Sequence, residues 1–278
     1  MKEKDRKETR SSAIRKNMRV LRELFYLRFH GIAVFRLDFF APFFVDGSLF
    51  LIQLLAFGVV YSNVETIGSW GKGEMILYIG TFSLLNAVNM TIYFFGTNAI
   101  PQKIRSGELD LYLSKPVSPL FRLTFENISP GSIPLILMSI CIIAFGVSKL
   151  ERGLTLTLAG LASYLFWIVL MEILYYEMEI LIRSVSLYVV SMARMEQLEE
   201  AGIDLCMKLP GIALHGVYKV IFYLILPYGI MATLPVQSMV GEMTLQRAVY
   251  GIGVVVLFTA ITCAMWTHGL KHYNSASS

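Results

Sequence analysis

Six apolar stretches, residues 41–61, 75–100, 128–148, 154–176, 217–240 and 248–267, are each long enough to cross a lipid bilayer. At 1.5 Å per residue, about 20 apolar residues span a hydrocarbon core of roughly 30 Å. No other feature constrains the fold so tightly. Lipid offers no hydrogen bonds, so an open sheet leaves its backbone unsatisfied there, whereas a helix satisfies itself. Only 16% of the chain is charged, against about 25% in soluble domains, and those charges cluster between the stretches. The expected fold is all-α: a polytopic membrane protein with six transmembrane helices.

Lys and Arg placement sets the expected orientation. Eleven precede the first stretch, four lie between the second and third, four run from Arg183 to Lys219, and Lys271 is near the end. The intervening loops hold only Lys72, Lys149, Arg152 and Arg247. Basic residues concentrate on the cytoplasmic side, which places both termini inside. The net charge of +4 follows from this asymmetry and gives no reason to expect nucleic-acid binding. Residues 1–36 are too charged, and lack the short apolar core, for a cleavable signal peptide. Residues 1–13 form a polar tail. From Ile14, apolar Met18, Leu21, Phe25, Phe29, Ile32 and Phe35 recur every three or four residues, with Arg15, Arg19 and Arg22 on a neighbouring face. Residues 14–36 are therefore expected as an amphipathic helix in the headgroup layer, ahead of a permeation domain over 37–273 and a short tail at 274–278. Cys141, Cys206 and Cys263 show no pairing or metal-ligand spacing and read as core thiols.

The segment between the second and third stretches (101–127) is the most informative linker. Its run Ile104-Arg105-Ser106-Gly107-Glu108-Leu109-Asp110-Leu111-Tyr112-Leu113 is followed by Pro116 and Pro119. Gly107 can stop the preceding helix, residues 108–113 can form a short one, and Pro116 ends it. Leu109, Leu111 and Leu113 alternate with polar residues, so this piece cannot bury all its apolar groups against itself. A partner outside the membrane is expected to receive Leu109 and Leu113, with Glu108 and Asp110 in the first turn suited to the helix dipole.

Other features carry weaker signals. Glu172, Tyr176, Glu179 and Arg183 are spaced four, three and four apart and share one helical face, with Glu179 and Arg183 able to pair. This stripe reads either as a substrate or proton path, or as a polar face packed on a neighbour. Glu196, Glu199, Glu200 and Asp204 read as a solvated acidic face. Pro227 and Pro235 interrupt the fifth stretch, marking a kink or a broken span near a cavity. Trp70, in a glycine-rich outer loop, is expected to anchor at the interface. His268 and His272 stand at i,i+4 without an evident third metal ligand. No segment reads G-x-x-x-x-G-K-[ST], so no phosphate-cradling loop is present, and no catalytic constellation rises above chance.

Taken together, the 104–119 run resembles the loop after the second span in a bacterial ABC transporter permease family. That family belongs to the type-2 exporter superfamily, in its uncharacterised-permease branch. Arg36-Leu37-Asp38-Phe39-Phe40, Ile67-Gly68-Ser69-Trp70, Leu209-Pro210, Tyr218, the Pro227/Pro235 pair and the closing His268-Gly269-Leu270-Lys271-His272-Tyr273 fit the same pattern, from about Arg36 to Tyr273. The chain departs from it in the charged stretch from Glu172 to Asp204. The resemblance implies six spans, a substrate pathway shared with a second permease subunit (a homo- or heterodimer), and a separate cytoplasmic ATPase. That ATPase would bind the loop containing Arg105, Gly107, Glu108, Leu109, Asp110, Leu113 and Pro116 as a coupling helix. ATP and Mg are then expected on the ATPase, this chain binds no cofactor of its own, and the protein sits in the bacterial plasma membrane among lipids. An ion-gradient-driven secondary transporter is the alternative, with Asp46 and the Glu172–Glu179 group as its carboxylates.

Overall fold

The structure, a computed structural model, describes residues 19–24, 26, 36–150, 158–189 and 191–273. Among the described residues there are helices and no strands; the sole pairing is an isolated bridge between Ile67 and Trp70. Five continuous helices are long and apolar enough to cross a membrane, and a sixth apolar segment is a bent pair of helices. The all-α polytopic fold is as the sequence requires.

Helix α1 (Arg36–Val60) is followed by α2 (Lys72–Ile92). After α2 the chain leaves the bundle through four short helices, α3 (Phe94–Asn98), α4 (Ile100–Arg105), α5 (Asp110–Leu113) and α6 (Pro119–Phe125). It returns through α7 (Ile133–Ser148) and α8 (Leu158–Ser184). The end of the bundle carrying α3–α6 is called the loop end here, and the opposite end the far end. The start of α1 lies at the loop end, because Phe50 of that helix packs on Ala87 and Leu135, which close α2 and open α7.

The core centres on α2, where Leu77, Tyr78, Ile79 and Phe82 are fully buried. Close helix approach explains this. A Cβ on Gly146 of α7 would stand 2.6 Å from the Leu77 amide nitrogen, and one on Gly80 would stand 2.8 Å from that of Ile143. Lipid supplies no hydrophobic drive between helices, so small residues that permit backbone contact carry much of the packing.

Two boundaries differ from expectation. The second crossing stops at Ile92 instead of running to 100, because residues 93–100 fold into α3 and the start of α4. The fourth was expected to end at 176 but runs to Ser184, since Glu177, Glu179 and Arg183 all find partners inside the bundle. Its expected first residues, 154–157, lie outside the described residues. So do both tails and most of the expected interfacial helix, of which residues 19–24 are helical.

The chain then forms α9 (Ala193–Lys208), α10 (Gly216–Val220, continued by a π turn over Ile221–Ile225), α11 (Tyr228–Met231), α12 (Thr233–Met239) and α13 (Leu245–His272). Helix α9 is not a solvated segment at the loop end. Its face of Glu199, Gly202 and Cys206 is buried, the Tyr78 hydroxyl donates to the Cys206 carbonyl, and Gln53 Nε2 donates to that of Met207. Since Tyr78 and Gln53 lie in the far half of α2 and α1, α9 climbs from Arg183 toward the far end and carries Lys208 with it.

The fifth apolar stretch is bent by 80° between Gly216–Ile225 and Tyr228–Met239. Proline disfavours helical backbone at the residue before it; Leu226 sits at φ −124°, ψ 78°, and its amide closes the π turn onto Ile221 O at 2.8 Å. Pro235 removes a second backbone donor, and the chain is non-helical at Ala232, between α11 and α12. Both expected interruptions are present, and the broken backbone is buried in protein, with Tyr228 fully enclosed against Tyr175 and Gly202.

Trp70 is also a correction. Its side chain is fully buried and stacks obliquely near Tyr78, and its indole N–H donates to Glu242 Oε2 at 3.4 Å. A partner inside the fold removes the reason for the indole to seek the membrane surface.

Candidate functional site

The loop between α2 and α7 is a folded unit. Helix α4 ends at Arg105, and Gly107 just beyond its cap, with a φ of +75°, reverses the chain at little steric cost. The Leu109 amide then donates to Lys103 O at 3.1 Å, fixing α5 against the end of α4. Tyr112 of α5 reaches the other way: its hydroxyl donates to Glu126 Oε2 at 2.7 Å, Lys103 bonds to both Tyr112 and Glu126, and the Arg122 guanidinium lies 5.1 Å from the ring centre. Burial opposes the charge on Lys103, but the Glu126 carboxylate and Tyr112 hydroxyl more than offset it and hold its pKa above the ordinary lysine value. At the close of α13, burial and the nearby Asp110 carboxylate together raise the Tyr273 phenol above its usual range.

Leu109 does not project outward. It is fully buried with Ile100, Ile104, Leu123, Ile180 and Trp266, so the loop is anchored to α8 and α13. The exposed apolar groups are Leu111, at 62% exposure, and Leu113, at 42%. Helical geometry explains the exchange. Leu109 and Tyr112 are three apart and share the inward face, which turns Leu111 to the opposite side. Arg105, Glu108 and Pro116 are exposed beside them, and Asp110 is half-buried. The expected loop residues thus form one surface, with Leu109 as its internal anchor and Leu111 as a member that alternation alone did not single out.

The stripe on α8 also assembles, from the centre of the helix to the loop. Tyr93 donates to Glu172 Oε1 at 2.8 Å and packs edge-on against Tyr176 at 5.1 Å, and the Tyr176 and Thr124 hydroxyls are 2.8 Å apart. Glu179 accepts from Asn89 Nδ2 at 3.3 Å and Thr97 Oγ1 at 3.4 Å, and pairs with Arg183 at 3.4 Å. Arg183 pairs with Glu199 of α9 at 2.6 Å. Glu199 is therefore a buried partner and not part of a solvated face, whereas Glu200 and Asp204 are exposed, the latter paired with Lys208 at 2.7 Å. The sequence signal was present in the 199, 202, 206 spacing, which puts Glu199, Gly202 and Cys206 on one side of α9.

Among the described residues no group of three or more His, Cys, Asp or Glu is placed to hold a metal ion. His268 and His272 approach to 3.2 Å between Nε2 atoms, and the Tyr188 hydroxyl lies 3.1 Å from His268 Nδ1.

The described residues thus form a helical bundle suited to a membrane, with a stapled loop after its second long helix. Residues 48–277 match the sequence model of the ABC-2 family transporter proteins, and the chain belongs to that family. It is a transmembrane ABC permease, a multi-pass membrane component and not itself catalytic. Comparison with curated proteins and with solved structures finds no match.

Proposed function

We propose that this chain is the permease subunit of an ATP-driven exporter, coupled to a separate cytoplasmic ATPase through the surface around α5. The loop end faces the cytoplasm of a bacterial cell, both termini lie there, and a second permease subunit, the same chain or a related one, completes the substrate pathway. ATP and Mg bind the ATPase, and this chain performs no hydrolysis. Lys208 and Lys219 stand toward the far end, yet the loop end retains the larger share of Lys and Arg, in keeping with this orientation.

The observation that carries the reading is the mechanical construction of the loop. Leu111 and Leu113 are offered to a partner, while Leu109 behind them is locked among Ile180 and Trp266 of two long helices. Force applied at the exposed residues passes directly into α8 and α13. The test is Leu111→Glu with Leu113→Glu, which changes only exposed positions. The variant is expected to insert normally but to lose ATPase co-purification. Undiminished co-purification would rule out this docking surface.

A further inference from the structure

A cavity of about 590 Å³ opens beside the stripe, between the loop end of α2, the middle of α8 and helix α6. That volume suits a drug-sized ligand. Its walls are almost entirely apolar and include four aromatic rings, from Tyr93, Phe121, Phe125 and Tyr176. Val169 and Ile173 form its rim on the membrane-facing side of α8, where they are 59% and 42% exposed. A ligand dissolved in the lipid can therefore reach the cavity sideways.

Among the wall residues, which also include Ser118 and Thr124, one carries a carboxyl group. Glu172 has Oε1 held by the Tyr93 hydroxyl, while Oε2 is buried and has no hydrogen-bond partner among the described residues. Arg183, the buried cation among the described residues, is committed to Glu179 and Glu199. An ionisable group at membrane depth is expensive, and a carboxylate without a partner more so. Aromatic faces around it attract a cation through their quadrupoles. From the lone acceptor, the rings and the lipid-side rim, we infer that this cavity binds a lipophilic monocation, with its charge at Glu172 and its apolar body against the aromatic walls.

The inference stands apart from the ATPase-docking surface, because binding requires neither ATP nor a partner. Failure of one leaves the other standing. The probe is tetraphenylphosphonium, titrated calorimetrically into the full-length protein in zwitterionic-lipid nanodiscs, with neutral triphenylphosphine oxide as the uncharged comparison. Saturable binding of the cation is expected, with much weaker binding of the neutral compound. Removing one partner of a buried charge pair leaves the other charge uncompensated, so Glu172→Gln should reduce affinity at least about tenfold. Glu177→Gln, a buried carboxylate on the same helix outside the cavity, should leave it unchanged. If Glu172→Gln does not fold, Val169→Trp fills the rim from the lipid side and should abolish binding in an intact protein. Absence of cation binding, equal binding of the neutral compound, or binding that survives both cavity substitutions would each overturn the inference.

Discussion

Leu109 and Leu111 are two residues apart and chemically identical, yet the fold gives them opposite roles. Leu109 fills the junction of α4, α6, α8 and α13, and Leu111 faces outward. Truncating a fully buried leucine typically removes about 2–5 kcal/mol. Leu109→Ala should therefore lower the unfolding temperature in detergent clearly, while Leu111→Ala leaves it within error. Equal effects would mean that α5 is not docked as described. Arg183 offers a second contrast, since it holds two buried carboxylates in place. Removing one partner of a buried pair costs about 3–5 kcal/mol because the other charge is left uncompensated. Arg183→Met strands both Glu179 and Glu199, whereas Glu199→Gln leaves one pair intact. The arginine variant should be the less stable of the two by thermal unfolding.

At the scale of helices, much was legible in the sequence. Gly107, Pro116, Pro227 and Pro235 act locally, through their own backbone, and each punctuates the chain where expected. The 172, 176, 179, 183 spacing matches a connected polar face on α8. Helix α9 was not legible in the same way. Glu196, Glu199, Glu200 and Asp204 read as a solvated face until Arg183 is known to stand opposite Glu199, and that is a tertiary fact. Trp70 misled for a related reason, because Glu242, its partner, is 172 residues away. The break at Pro227 yields a prediction of its own. Tyr228 is enclosed by Tyr175 and Gly202, so packing holds the bend even without the ring of proline. Pro227→Ala should leave abundance near the parent level and change transport. Normal transport with reduced yield would make the residue purely structural.

Seen as a whole molecule, the bundle has two unlike ends and an apolar flank. Phe44, Leu49, Ile52, Leu55 and Val59 of α1 and Leu161, Leu165, Phe166 and Val169 of α8 are exposed, a surface too apolar for water and suited to lipid. The start of α1 and Tyr273 share the loop end with α5, so one orientation places both on the side of the proposed docking surface. The central claim is that an ATPase docks on this end through Leu111 and Leu113. It is tested most directly by a photo-crosslinking amino acid placed singly at positions 109, 111, 113 and 63 in cells expressing the full transporter. Crosslinks to an ATPase subunit from 111 and 113, with none from buried 109 or from 63 at the far end, are the predicted result. No crosslink from 111 and 113, or capture of the ATPase from position 63, would contradict it.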